Sequence, residues 1–226
     1  MIWISSWREY WSVLKKEVRT LMKKRKLLFI VLMGYILIFS GCRAPSENLS
    51  EPLSDKEIRM FNETFFNGST DNMNNQMLAS EYDQPANIDL FQLFYNGNGG
   101  AAGQVSEEEV ALLTESYSEA PVLDIVKVTA EEMNAVLVEK TGVQLEETQQ
   151  KGLGNFYYLE QYDSFYNIAG DTNFNWCTVT SGVRQSGREL ILEYTKENED
   201  GQWRVVLEET DDGYLFVSNT KIEQGH

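Results

Sequence analysis

Apolar residues recur at helical spacing through the first part of this chain and alternate with polar ones through the last part. Three positions carry a Ser or Thr followed three residues later by Glu: Ser54 with Glu57, Ser106 with Glu109, and Thr129 with Glu132. In that spacing the hydroxyl accepts from the backbone three residues on and the carboxylate reaches back, so each pair predicts a helix start. Behind them, Ile58, Phe61 and Phe65, then Val110, Leu113 and Tyr117, then Met133, Val136 and Leu137 each fall on one helix face. The third helix is expected to stop near Gly142. Asp89 is placed to cap a short apolar turn over 90–94.

From Trp176 onward the period becomes that of a strand. Leu190, Leu192 and Tyr194 alternate with Glu189, Ile191 and Glu193, and runs over 203–208 and 214–219 follow. Turn sequences at 185–187, 198–201 and 211–213 separate them, and short turns force antiparallel neighbours. The expected fold is α+β, with N-terminal helices packed on a C-terminal antiparallel β-meander of four to five strands. No internal repeat is visible.

The beginning of the chain has a different pattern. A basic run, Lys23, Lys24, Arg25 and Lys26, precedes 12 uninterrupted residues, 27–38, that are apolar apart from Gly34 and Tyr35. That run is short for a bilayer span, which needs about 20 residues, and suits a signal peptide. Phe39, Ser40, Gly41 and Cys42 come next. This resembles the lipobox of bacterial lipoproteins, in which small residues admit the peptidase and an obligatory cysteine thiol accepts diacylglycerol. The family prefers Leu where Phe39 stands. The resemblance implies cleavage after Gly41, lipidation on Cys42, and attachment to the membrane through diacylglyceryl. Residues 1–21, with Trp3, Trp7 and Trp11, fit no signal peptide. Lys16-Glu17-Val18 can be encoded by a ribosome-binding sequence with Met22 at a suitable distance, so 1–21 is expected to be a mis-assigned start, the alternative being an amphipathic N-terminal helix. The organisation is then a signal peptide over 22–41, a flexible tether over 42–53, which has two prolines and no periodicity, and one extracytoplasmic domain over 54–226.

Charge agrees with export. Residues 1–41 hold eight Lys/Arg against two acidic residues, whereas 42–226 hold 11 against 33. The positive end stays on the cytoplasmic side. An acidic domain lacks the cations that bind phosphate, so nucleic acid is not expected as a partner, and anionic headgroups repel it. The acyl anchor would hold it at the outer face of the cell membrane.

Few chemistries remain for the domain. The sole histidine is the terminal His226, which removes Ser-His-Asp and Cys-His sites and histidine-ligated zinc. No cofactor or metal is expected. The glycine-rich stretch 96–100 lacks the Lys and preceding strand of a phosphate loop. Cys177, with Cys42 lipidated, has no disulfide partner and reads as a small buried hydrophobe. Carboxylates are abundant, and a glycosidase needs two of them about 5–10 Å apart, but an acidic surface provides such pairs by chance.

The densest polar and aromatic stretch is 155–176. Tyr162, Tyr166 and Trp176 beside Asp171, Asn173 and Asn175 would suit a groove, because rings stack on sugars and amides hydrogen-bond to them. The run from Asp171 to Asn175 also opens like a calcium loop, although Trp176 stands where that loop needs glycine and Gly182 where it needs a bidentate Glu. The competing expectation is that Tyr158, Tyr162, Tyr166 and Trp176 form core and that the 171–175 loop is the exposed site. Residues 89–97 (DLFQLFYNG), 129–142 (TAEEMNAVLVEKTG) and 155–173 (NFYYLEQYDSFYNIAGDTN) resemble segments of uncharacterised lipoproteins of Gram-positive bacteria, a group that implies no activity. Residues 201–206 (GQWRVV) are similar to the last strands of many small extracytoplasmic α+β domains. The expected function is a membrane-anchored, non-catalytic module binding an envelope protein, peptide or glycan. The alternative is a carboxylate-dependent enzyme acting on envelope or environmental glycan.

Overall fold

Each capping box forms. Ser54 Oγ accepts from the Glu57 N–H while Glu57 Oε2 accepts from the Ser54 N–H at 2.9 Å, opening α1 (Asp55–Met60). The computed structural model describes residues 50–69, 72–99, 105–117, 125–168, 172–185 and 187–223, all within the unit Asn48–His226. The leader, Gly41, Cys42, Asp171 and His226 lie outside the described residues. Asn72 caps the short α2 (Met73–Gln76), and Asp89 caps α3 (Leu90–Leu93) by accepting from the Phe91 and Gln92 N–H groups. Ser106 and Glu109 open α4 (Glu107–Ser116). Thr129 and Glu132 open α5 (Ala130–Thr141), which stops at Gly142 with φ of 73°, a left-handed geometry that favours glycine.

The α+β expectation holds. A five-stranded antiparallel sheet is built in the order β1 (Glu51–Pro52), β5 (Cys177–Arg184), β6 (Glu189–Lys196), β7 (Glu199–Thr210) and β8 (Gly213–Lys221). Its last four strands are the predicted meander. Leu190, Leu192 and Tyr194 point into the core with Val205, Leu207 and Phe216, where Phe61, Phe66, Met77 and Leu137 from the helices meet them. The first strand comes from the expected tether: Pro52 pairs with Val183, and the Leu53 N–H donates to the Gly182 carbonyl at 2.9 Å. The reason is steric. Leu53 packs where Gly182 has no side chain, since a Cβ there would lie 2.7 Å from Leu53 Cδ1.

A second sheet was not expected. β2 (Ile125–Thr129) and β3 (Tyr157–Leu159) flank β4 (Ser164–Ile168), all antiparallel. The link between β3 and β4 turns at Asp163, a non-glycine residue at φ of 43°, a conformation Asp tolerates.

α1 does not simply end. It continues as one π-helical stretch, Phe61–Phe66, whose wider winding brings residues five apart onto one side. Phe61 and Phe66 are therefore both buried, while Phe65 is only partly buried, which corrects the ordinary helical face read from Ile58, Phe61 and Phe65. Asn62 and Asn67, also five apart, both reach β5. Asn62 donates to the Val179 carbonyl and accepts from its N–H at 3.1 and 2.7 Å. Asn67 does the same to Cys177 at 2.7 and 3.0 Å. Two side-chain amides thus take the place of a neighbouring strand where β1 is too short to continue.

Candidate functional site

The run 172–176 has no regular secondary structure and leads directly into β5. Asn173, Asn175 and Cys177 line a cleft of about 170 Å³. Phe174 and Trp176 meet each other edge-on, with centroids 6.5 Å apart, and Trp176 is 50% exposed. The residues that a ligand groove would have combined are thus divided: Asn173 and Asn175 line the cleft and the indole does not.

The other walls come from distant parts of the chain. α2 and the turn after it contribute Asn75, Leu78 and Ala79, α3 contributes Gln92, and the β6–β7 turn contributes Lys196 and Glu199. Hydrogen bonds fasten the loop to each of these. The Asn75 amide donates to the Asn175 carbonyl at 2.9 Å, and the Asn173 amide donates to the Gln92 carbonyl at 2.8 Å. Asn173 Oδ1 accepts from Asn96 at 2.7 Å, and Asn175 Oδ1 accepts from the Asn198 N–H at 3.2 Å. Both asparagine oxygens that a calcium loop would aim at a metal are thus taken by N–H donors. Among the described residues no group of three or more potential metal ligands gathers anywhere.

What remains open is specific. The Gln92 side-chain amide makes no hydrogen bond among the described residues, and neither does Asn175 Nδ2. Lys196 is buried, with its ammonium 3.0 Å from Glu199 Oε1 and 3.7 Å from the centroid of the Trp203 ring. Ion pair and ring together compensate a charge that burial alone would expel. Glu199 is the single carboxylate among the described residues of the cleft and it is already paired. Burial pushes the Cys177 thiol up to about 12, which keeps it protonated and unreactive. Among the described residues, Gln76 Nε2 and Oε1 and Trp203 Nε1, whose ring underlies Lys196, are buried without a hydrogen-bond partner.

Tyr162 and Tyr166 belong to a different place. Tyr166 is fully buried with Leu113 and Leu159, and Tyr162 packs against that cluster, so Tyr166 cannot touch a ligand. Its hydroxyl donates to Glu109 Oε1 at 2.6 Å, and Lys127 Nζ reaches the same oxygen at 2.5 Å. Burial would raise the Glu109 carboxyl, but hydrogen bonds from Lys127, Tyr166 and Ser106 outweigh it and hold it at about 2. Glu57 is likewise lowered to about 2, by hydrogen bonds from Ser54 and then Arg184. Both shifts run opposite to what a general acid requires. Tyr158 is exposed, as is Trp176, so neither is the core ring expected. The β3–β4 hairpin is the cause for the tyrosines: Tyr158 lies opposite Phe165, and Tyr157 opposite Tyr166. Rings four apart in sequence therefore sit on different strands and turns, not along one face.

Sequence reasoning placed Asn173 and Asn175 but missed Asn75, Gln92, Lys196 and Glu199. A weak local signal existed for the last two, a Lys and a Glu three apart across a turn. For Asn75 and Gln92 the only signal was the general richness in amides. No helix among the described residues is long and apolar enough to cross a membrane. No protein-family model, curated protein or solved structure matches the chain.

Proposed function

We propose that this chain is a bacterial lipoprotein, exported, cleaved after Gly41, lipidated on Cys42 and held at the outer face of the cell membrane. Its folded domain is a non-catalytic module that binds an envelope protein, peptide or glycan. The export reading rests on the basic run, the apolar stretch 27–38 and the Ser40-Gly41-Cys42 sequence. The observation that carries binding is the cleft: its walls are fastened by amide hydrogen bonds, while the Gln92 side chain and Asn175 Nδ2 make none among the described residues. Catalysis by paired carboxylates gains no support there, since Glu199, the one carboxylate among the described lining residues, is ion-paired.

Metabolic labelling with a fatty acid tests the anchor. The wild-type chain takes up label, and Cys42→Ser, which cannot form the thioether, accumulates as unlabelled precursor. Label retained in Cys42→Ser overturns the assignment. Pull-down from envelope fractions with the full-length chain in detergent then tests for a retained protein, peptide or glycan.

A further inference from the structure

We infer that the cleft takes one neutral, hydroxyl-rich ring, the terminal pyranose of a glycan. This rests on the binding reading above and gives it a ligand class.

Charge argues first. Lys196 and Glu199 neutralise each other at 3.0 Å, and every other polar group among the described wall residues is an uncharged amide or a protonated thiol. An ionic ligand would have to break the Lys196–Glu199 pair and leave a buried ammonium without its partner, a costly exchange. The domain's acidic excess, 33 Asp/Glu against 11 Lys/Arg over 42–226, further disfavours anions. A neutral ligand meets neither obstacle.

Size and hydrogen-bonding capacity argue next. The volume of about 170 Å³ holds roughly six waters at about 30 Å³ each, which is the room of one sugar ring and less than an extended peptide needs. An amide presents two donors and an acceptor in one plane, which pairs with adjacent hydroxyls. The Gln92 amide offers that full set and Asn175 Nδ2 adds donors, while Leu78 and Ala79 supply an aliphatic surface for the C–H face of a ring.

The full-length chain in detergent is screened against an array of neutral and acidic glycans. The bound sugars are then titrated as free monosaccharides by calorimetry. Three variants decide the result. Gln92→Leu removes a side chain with no hydrogen bond among the described residues, so its melting temperature stays at the wild-type value and its affinity for a neutral sugar falls at least tenfold. Trp176→Ala alters a ring outside the cleft and leaves affinity within twofold. Lys196→Met shows whether charge is read. Selective capture of neutral glycans, lost in Gln92→Leu, supports the inference. Preference for acidic glycans, or binding that depends on Lys196 as a charge, overturns it. Capture of a peptide through Gln92 overturns the sugar class and leaves the binding module intact. Ligand binding unaffected by Gln92→Leu removes the cleft from both readings.

Discussion

From Cys177 to Lys221 each strand satisfies its backbone through a regular ladder with the next, whereas from Glu51 to Asn96 the chain relies on side-chain amides to do the same work. In the meander, Leu192 faces Gly182 on one side and Val205 on the other, and the pattern repeats with few irregularities. In the helical half, Asn62 and Asn67 complete the edge of β5, Asn72 and Asn74 both donate to the Phe65 carbonyl, and Asn219 returns from β8 to hold the Leu78 and Ser80 carbonyls. A ladder spreads its hydrogen bonds over many residues, so one substitution removes little. An asparagine clamp puts several on a single side chain, and its loss leaves buried backbone groups unpaired. The cleft lies where the two systems meet, which explains why its walls are amides.

Three changes separate these systems, from the largest effect to the smallest. Phe66→Ala removes a fully buried ring at the end of the π-helical stretch, in contact with Tyr194 and Phe216 of the meander. It is expected to cost about 3–5 kcal/mol, as other buried aromatic truncations do. Urea unfolding reads this, and a loss under about 1 kcal/mol would mean that the helical half does not share the meander's core.

Asn67→Ala leaves the buried Cys177 N–H and carbonyl without partners. The expected loss is about 3 kcal/mol, well above the cost of an ordinary single hydrogen bond of roughly 1 kcal/mol. Hydrogen exchange at the Cys177 amide should accelerate in that variant while amides of β6 and β7 stay protected. Uniform acceleration across the sheet would show that the clamp and the ladder are one cooperative unit.

The smallest effect concerns α4. Glu109 is held at about 2, below its ordinary 4.5, so the ionised form contributes stability at pH above about 4.5. That contribution is lost as the pH falls through about 2. Its size is on the order of 2 kcal/mol. Urea midpoints measured from pH 6 to pH 2 should fall more steeply in the wild-type chain than in Glu109→Gln. Parallel curves would remove Glu109 from the acid sensitivity of the fold.

The kinds of elements were legible in the sequence because they follow from local spacing. Three capping boxes, the Asp89 cap, the stop at Gly142 and the alternation of Leu190, Leu192 and Tyr194 are each decided within a few residues. Tertiary structure alone decided the rest. The partners of Asn62 lie 117 residues away, and no periodicity announces such a pairing. The π-helical winding that exchanges Phe65 for Phe66 depends on what the rings and Asn62 and Asn67 find on the sheet. The turn at Asp163 lacks glycine, so the β3–β4 hairpin was hidden, and with it the separation of Tyr158, Tyr162 and Tyr166. The amides of 173 and 175 were visible as a polar loop. Their meeting Asn75, Gln92, Lys196 and Glu199 in one cleft that leaves Trp176 out was decided only when α2, α3 and the ends of β6 and β7 packed around that irregular run.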